Sequence, residues 1–468
     1  MSETISEMIL PGTYIDVRAE GLIGVGGIST GNLGVVGTAS SGPLNTVVVL
    51  GSYAEALETF GPYDAWPDTN QDRALTLTRA LEQAFKGGAS SVYAVRVANG
   101  NPAAATWLLQ GSTNNTLTTL TSRSPGTRGG TMTVKLDSPD AGPVTLTLAL
   151  GRQQETFNGA NTGELVTALG TSALVTASAP ADADAAILPK TVVTGEAGGP
   201  NGTPATTVEL ASGLALLSGE PVNIVVAAGF DAKAAAGTLL AHLESTENDG
   251  RERLAIVGAS TTVPSTIISD DVAAGSNPRL VLVAPGIVAA DAAKTGINRA
   301  SRLPPAYAAA LVGGRLSTLA PHVSLTNKDV AADDLTVQYT RAQQKQLLLN
   351  QVLVLQKNLG IRVLKGITTD TGAFRQISVR RVVDFAKAGV RIGANPYIGR
   401  LNNVRVRAAL KATLDGFLSG MVLDEMLVGY TLDVTATRSQ EINGQAIVTM
   451  TLQPTFSIDF VKVIMNLQ

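Results

Sequence analysis

The chain contains no cysteine and only two histidines among 468 residues. Disulfides and thiolate-held metals are therefore excluded, and that absence suits a protein made in a reducing cytosol that must later survive outside the cell. His242 and His322 stand far apart in sequence and in no metal-ligand spacing, so no metal site is expected. Aromatic residues are only 4 % of the chain, so its cores must be built from small aliphatics. No apolar run reaches the ~20 residues of a membrane helix. The opening MSETISEMILPG carries acidic residues and lacks the apolar stretch of a secretory signal. A formal net charge of -3 supplies no basic field, so nucleic acid is not expected as a direct partner.

Enzyme signatures are equally scarce. Gly24, Gly26 and Gly27 begin like a phosphate loop, but the sixth position of that pattern is Ser29, and no Gly-Lys-Ser/Thr follows any glycine loop. Glycine flexibility beside a strand accounts for them. The carboxylate pairs Asp270/Asp271 and Asp333/Asp334 read as polar-loop residues explained by solvation, not as general acids or bases. Ser260, in GASTT, lacks the turn of a nucleophilic serine. No catalytic residue, cofactor or metal is expected.

What is present is enough apolar residue, 44 % of the chain, for two to four folded domains. Short β-branched runs at Leu33 to Thr38, Thr46 to Leu50 and Val92 to Ala98 alternate with amphipathic stretches, which argues an α/β layer. From about residue 99 to 193, charge thins out and Thr131 to Leu136 and Val144 to Leu150 alternate strictly, as half-exposed strands do. This reads as an inserted small β-rich domain. The α/β pattern resumes at Asn223 to Ala227, Leu254 to Val257 and Leu280 to Ala284, so strands distant in sequence complete one sheet. Arg341 to Leu359 is expected to be helical, with Leu347, Leu348, Val352 and Leu355 on one face. A later helix, Val404 to Met421, carries Leu410, Leu414, Phe417 and Met421 as a buried stripe.

Five segments, in order, carry a family likeness: LPGTYIDV at Leu10 to Val17; SPGTRGGTMTV at Ser124 to Val134, with Gly130 where Asn is usual; the Gly198, Gly199, Gly202 loop between Thr191 and Val226; Leu303 to Leu319; and GITTDTGAFRQISVRRVVDFAKAGVRIGANPYIGRLNN at Gly366 to Asn403. Together they resemble contractile phage tail sheath proteins over nearly the whole chain. The resemblance implies an α/β and α+β multidomain fold: an N-terminal arm (1–20), a discontinuous α/β core (21–98 and 194–335), the inserted β-rich domain (99–193), an α+β C-terminal domain (336–460) and a C-terminal arm (461–468).

Function follows as an expectation. The family's subunits polymerise in helical order, in stacked rings expected to be hexameric, around a tail tube, and contract to drive the tube through a target envelope. Implied partners are further copies of the chain, the tube protein, and baseplate and tail terminator proteins. Implied placement is a virion tail or extracellular contractile particle assembled in the bacterial cytoplasm, with no membrane insertion. Near the N-terminus Thr13, Ile15 and Val17 alternate with polar residues. Near the C-terminus Val448, Met450 and Leu452 do the same, and after Pro454 a second run sets Phe456, Ile458 and Phe460 opposite Ser457, Asp459 and Lys462. An unpaired strand with an apolar face finds its partner on a neighbour's sheet, which makes Thr13, Ile15, Val17, Val461, Val463 and Met465 candidates for strand exchange between subunits. The run Gln445 to Gln453 is expected to finish its own domain's sheet. Arg405, Arg407 and Lys411, with Arg400, make one helix end positive and are candidates for contact with an acidic strip on the tube; Asp415 and Asp424 are the expected neutralising neighbours if that end is only solvated. A second reading, a cytosolic α/β phosphate-ligand-binding protein or enzyme, rests on the glycine loops and predicts small oligomers.

Overall fold

Runs of consecutive buried aliphatics form the parallel strands of an eight-stranded sheet. In this computed structural model, residues 27–66, 75–100, 102–139, 142–181, 184–198, 201–272, 276–295, 297 and 299–465 are described. The order across the sheet is Ile361–Val363, Val352–Lys357, Leu280–Ala284, Leu254–Gly258, Ile224–Asp231, Leu33–Gly37, Val92–Arg96 and Val47–Leu50. The six inner strands are parallel, and the two outermost run antiparallel to their neighbours. Leu33 stands opposite both Ile224 and Val92, so the first strand is central. Helices Leu77–Lys86 and Pro305–Ser317 cover one face, and Thr207–Leu217, Ala232–Asn248 and Arg341–Leu349 cover the other. Burial on both faces is why these strands lack a polar alternate residue.

That same double burial corrects one expectation. The helix beginning at Arg341 ends at Leu349, and Val352–Lys357 is a strand paired in parallel with Leu280–Ala284. Asn350 caps the helix, and Gln351 takes a left-handed φ of 59° that turns the chain. Val352, Leu353, Val354 and Leu355 are all buried, and a short run of that kind reads equally as helix or strand from its pattern alone.

Two compact units divide the chain. The larger runs from Ser29 to Ile377 and takes in Asp459–Gln468, and the smaller is built on Ser378–Ile458. Strands Val352–Lys357 and Ile361–Val363, grouped with the C-terminal domain by sequence, thus pair within the larger unit.

Within the larger unit, the helices Leu77–Lys86 and Pro305–Ser317 touch almost backbone to backbone. A Cβ at Gly314 would stand 2.0 Å from the Ala84 carbonyl oxygen, so the glycine late in the Pro-Pro-x-x-x-Ala-Ala segment marks a close approach. The region 99–193 forms two antiparallel sheets of its own. Thr191–Thr194, Thr106–Gln110, Thr116–Ser122 and Val175–Ser178 make one, and Thr133–Asp137, Val144–Leu150 and Gln153–Gly159 make the other. Trp107, Leu109, Leu120, Leu146, Leu148 and Leu165 are buried among them. Arg128, in the Gly-Thr-Arg-Gly turn, donates to the carbonyls of Leu57 and Glu58 at 2.5 and 2.8 Å and so fastens this region to the end of helix Tyr53–Phe60. A Cβ at Gly130 would meet Ala197 O at 1.9 Å, which explains glycine where the family resemblance has asparagine.

The smaller unit is α+β. Helices Ile377–Ala394 and Val404–Leu423 precede a hairpin of Leu427–Thr435 and Ile447–Pro454. Leu410, Leu414, Leu418 and Met421 are buried along the second helix, while Phe417 is half-buried against Phe385, with ring centroids 5.8 Å apart.

Candidate assembly surfaces

The hairpin pairs Tyr430 with Leu452, Leu432 with Met450 and Val434 with Val448. Tyr430, Leu432, Leu452 and Val448 pack against the helices of the smaller unit, as the period of two requires. Gln445 to Gln453 therefore supplies a strand to its own domain. Among the described residues no third strand joins this sheet. Among the described residues neither outer edge is paired, so each offers backbone donors and acceptors, and two strands alone form a marginal sheet.

Past Pro454, Thr455 N–H donates to Met426 O at 3.1 Å. Among the described residues the run from Phe456 to Phe460 pairs with no strand. Phe456, Ile458, Phe460, Val461, Val463, Ile464 and Met465 are between 63 and 85 % exposed. Such a density of open apolar side chains marks an interaction segment. The structure thus places the candidates Val461, Val463 and Met465 on an exposed tail, while Thr13, Ile15 and Val17 lie outside the described residues.

Arg405, Arg407 and Lys411 all stand on helix Val404–Leu423, which Asn403 caps by accepting from Val406 N–H. Arg405 is exposed. Arg407 is half-buried and pairs with Glu441 at 2.9 Å, while Lys411 pairs with Asp433 at 3.2 Å. Hydrogen bonds from Arg438 and then Arg407 hold the Glu441 carboxyl below its ordinary range. The neutralising residues are therefore Glu441 and Asp433, whereas Asp415 accepts from Tyr430 Oη at 2.7 Å and Asp424 follows the helix as its C-cap. Arg400 lies over the Tyr397 ring, 5.2 Å from its centroid.

A cavity of about 470 Å³ opens at the carboxyl ends of strands Leu33–Gly37, Ile224–Asp231 and Leu254–Gly258, lined by Thr38, Trp66, Thr76, Asp231, Ser260 and Tyr307 among others. Ligands of open α/β sheets sit in such a place. Its polar groups serve the fold: the Thr38 and Thr76 hydroxyls meet at 3.3 Å, and Asp231 caps the following helix by accepting from Ala234 N–H at 2.9 Å. Ser260 N–H is taken by Asp271, 2.9 Å away. Asp271 is buried rather than solvated, and burial pushes its carboxyl upward. Asp333 likewise accepts from Ala290 N–H, and Asp334 pairs with Lys357 at 3.1 Å. Asp271 is thus a fold-building group that its polar surroundings in sequence did not reveal, whereas Asp333 and Asp334 keep the solvent contact expected of a polar loop. Among the described residues no cluster of three metal-ligating side chains occurs, and no helix is long and apolar enough to cross a membrane.

His242 is also built into the core. Arg253 donates to its Nε2 across 3.2 Å, which requires a neutral ring, and burial first and the Arg253 charge second push its pKa down to about 4. The unfolded chain takes up a proton near pH 6.5 that the folded chain refuses until about pH 4, so this contribution to stability is complete above pH 6.5 and drains away as pH falls below it. Urea unfolding at pH 7 and pH 5 should differ by on the order of 1–2 kcal/mol from this group. His242→Gln should flatten the difference by that amount, and an equal slope in both proteins would remove the assignment.

Residues 369–468 match the phage tail sheath C-terminal domain family. No curated protein matches the chain in sequence. The fold is similar to that of the sheath tail protein from Listeria innocua, with a TM-score of 0.69 at 15 % identity over 94 % of this chain and 95 % of that one. It is similar too to the sheath tail protein from Desulfitobacterium hafniense, with a TM-score of 0.62 at 17 % identity over 95 % of this chain and all (100 %) of that one. The helical sheath of the anti-feeding prophage in its contracted state gives 0.58 at 14 % identity over 98 % of this chain and 99 % of that one. The likeness read from the sequence thus holds at two levels, the family of the C-terminal domain and the fold of the whole chain.

Proposed function

We propose that this chain is the structural subunit of a contractile tail sheath, whose copies polymerise around a tail tube in stacked rings, hexameric in the family's manner, and contract to drive the tube through a target envelope. The observation that carries this reading is the exposed apolar tail beyond Pro454, in a region whose sequence matches the sheath C-terminal domain. The tail's apolar side chains lie largely exposed in their own chain, and among the described residues no further strand pairs with the hairpin before it. Strand addition from neighbouring copies satisfies both at once. Val461, Val463 and Met465 are the tail residues that enter the neighbour's sheet, and Thr13, Ile15 and Val17 are the corresponding residues of the N-terminal arm. Contraction on this reading consumes no nucleotide; it is a bistable change between two lattices of subunit contacts. The role is structural rather than catalytic. Baseplate and tail terminator proteins are the partners at the two ends of the cylinder, and assembly takes place in the bacterial cytoplasm before the particle acts outside the cell.

Arg405, Arg407 and Lys411 form the tube-facing surface on this reading. Arg405 and Lys411 are exposed, and Arg407 is half-buried in its pair with Glu441; contact through such groups releases as the lattice widens. Arg407→Glu with Lys411→Glu should abolish tube-dependent assembly, with Arg405→Glu weakening it alone. The exposed Lys411–Asp433 pair is worth only ~0.2–1 kcal/mol, whereas the half-buried Arg407–Glu441 pair is costlier to reverse, so thermal unfolding is used to check that each variant folds. Undiminished co-assembly with tube would remove this face from the contact.

The reading as a whole is tested by negative-stain microscopy of the purified full chain over a concentration series. Long hollow cylinders are expected. A protein that stays as small oligomers at every concentration and binds nucleotide would instead return the cavity at the strand ends to first place.

A further inference from the structure

Within the exposed tail the side chain of Asp459 is held fast. Asp459 is the residue at which the chain re-enters the larger unit, and its carboxylate sits in a cradle. Oδ2 stands 3.1 Å from Lys365 Nζ and accepts from Gln376 Nε2 at 3.3 Å, while Oδ1 accepts from Thr326 Oγ1 at 3.5 Å. The side chains of Lys365 and Asp459 are 10 and 11 % exposed, so this is a largely desolvated pair amid a segment that is otherwise open to solvent. The cradle is itself fixed. Thr326 Oγ1 accepts from Gly366 N–H at 3.1 Å, and Ile367 bridges to Gln376 in antiparallel register. Phe460, next in the chain, lies with its ring 5.1 Å from Lys365 Nζ, so the ammonium is met by carboxylate and aromatic face together.

We propose that Asp459 is the anchor residue of the tail: gripped by Lys365, Gln376 and Thr326, it fixes where and in which direction residues 460–465 run on from the cradle, and so presents them pre-ordered to a second copy of this chain. The proposal rests on the sheath reading for its biological use. Physically, a free apolar tail must be ordered before it can add to a neighbour's sheet, and that ordering opposes association. A desolvated charge pair at the root of the segment removes part of the cost in the unassembled subunit. Asp459 is accordingly a positioning residue, acting on assembly through the residues that follow it.

The test uses the full chain with two readouts. The first is the protein concentration at which cylinders appear by light scattering and microscopy. The second is the motion of a spin label on Lys462→Cys, a unique site because the sequence has no cysteine, measured below that concentration. Asp459→Asn should raise the assembly threshold about tenfold and speed the label's motion; because Lys365 loses its counter-charge the unfolding temperature should also fall, so both readouts are taken well below that transition. Asp459→Lys combined with Lys365→Asp should restore both. If the native chain forms cylinders and Asp459→Asn forms them at the same threshold, the anchor is overturned and the sheath reading stands. If the native chain forms none, the sheath reading fails, and the label decides the anchor alone: unchanged motion in Asp459→Asn overturns it, and faster motion restored by the swapped pair upholds it.

Discussion

Ending the chain at Phe460, and so removing Val461–Gln468, is expected to abolish hollow cylinders while leaving a folded, soluble subunit. The expectation follows from where the removed side chains are. Val461, Val463, Ile464 and Met465 are each at least 72 % exposed, so the isolated fold draws almost nothing from them, and their loss falls within the ~0.5 kcal/mol typical of surface changes. Assembly draws on them heavily. Burying three or four such side chains on a neighbour contributes about 1.5–3 kcal/mol apiece before ordering costs, and every lattice contact of this type disappears at once. Circular dichroism and thermal unfolding should match the full chain, and only assembly should fail. Cylinders of normal length from the shortened chain would reject strand addition by this segment.

The second large effect lies in the body. Arg79 and Asp291 form a pair 3.2 Å apart with side chains 2 and 0 % exposed. Asp291 also accepts from Trp66 N–H at 2.8 Å, Ala293 N–H at 3.0 Å and Ser301 Oγ at 3.1 Å. On the other side, Arg79 donates to Asp64 O at 2.6 Å and lies 3.9 Å from the Tyr63 ring centroid. The carboxylate therefore ties helix Leu77–Lys86 to the chain after strand Ile287–Ala290. Asp291→Ala leaves a buried guanidinium without its counter-charge and orphans two backbone donors. A loss of about 3–5 kcal/mol is expected, read from the urea midpoint of the unassembled subunit. Asp291→Asn keeps most of the hydrogen bonds and should cost less. A loss under about 1 kcal/mol for the alanine variant would mean that water enters to solvate Arg79.

These two sites differ in how far the sequence announces them. The parallel strands at Leu33, Val92, Leu254 and Leu280 are legible because β-branched runs bounded by glycine have few other uses. Helix Val404–Leu423 is legible from the spacing of Leu410, Leu414 and Met421. Val352–Lys357 is not, since nothing in a four-residue aliphatic run tells a doubly buried strand from the end of a helix. Charge partners are illegible for a different reason. Arg407 finds Glu441 34 residues away and Lys411 finds Asp433 at 22, whereas sequence proximity points to Asp415 and Asp424. The apolar tail is visible as a pattern, but its anchor is not: Asp459 reaches Gln376 across 83 residues, and alone in the sequence it is one polar residue in an alternating run. Pattern locates elements, and only the fold brings their ionic ends together.

Thr326, Lys365 and Gln376 all precede Asp459 in the chain, as does Ile361–Val363, the last strand to join the large sheet. Translation is vectorial, so the body and the cradle have both left the ribosome before the segment they hold. The residues of the sheet and the cradle are therefore free to fold before the tail is made. On the sheath reading, the order of the residues along the chain thus favours folding of the body ahead of strand addition by the tail.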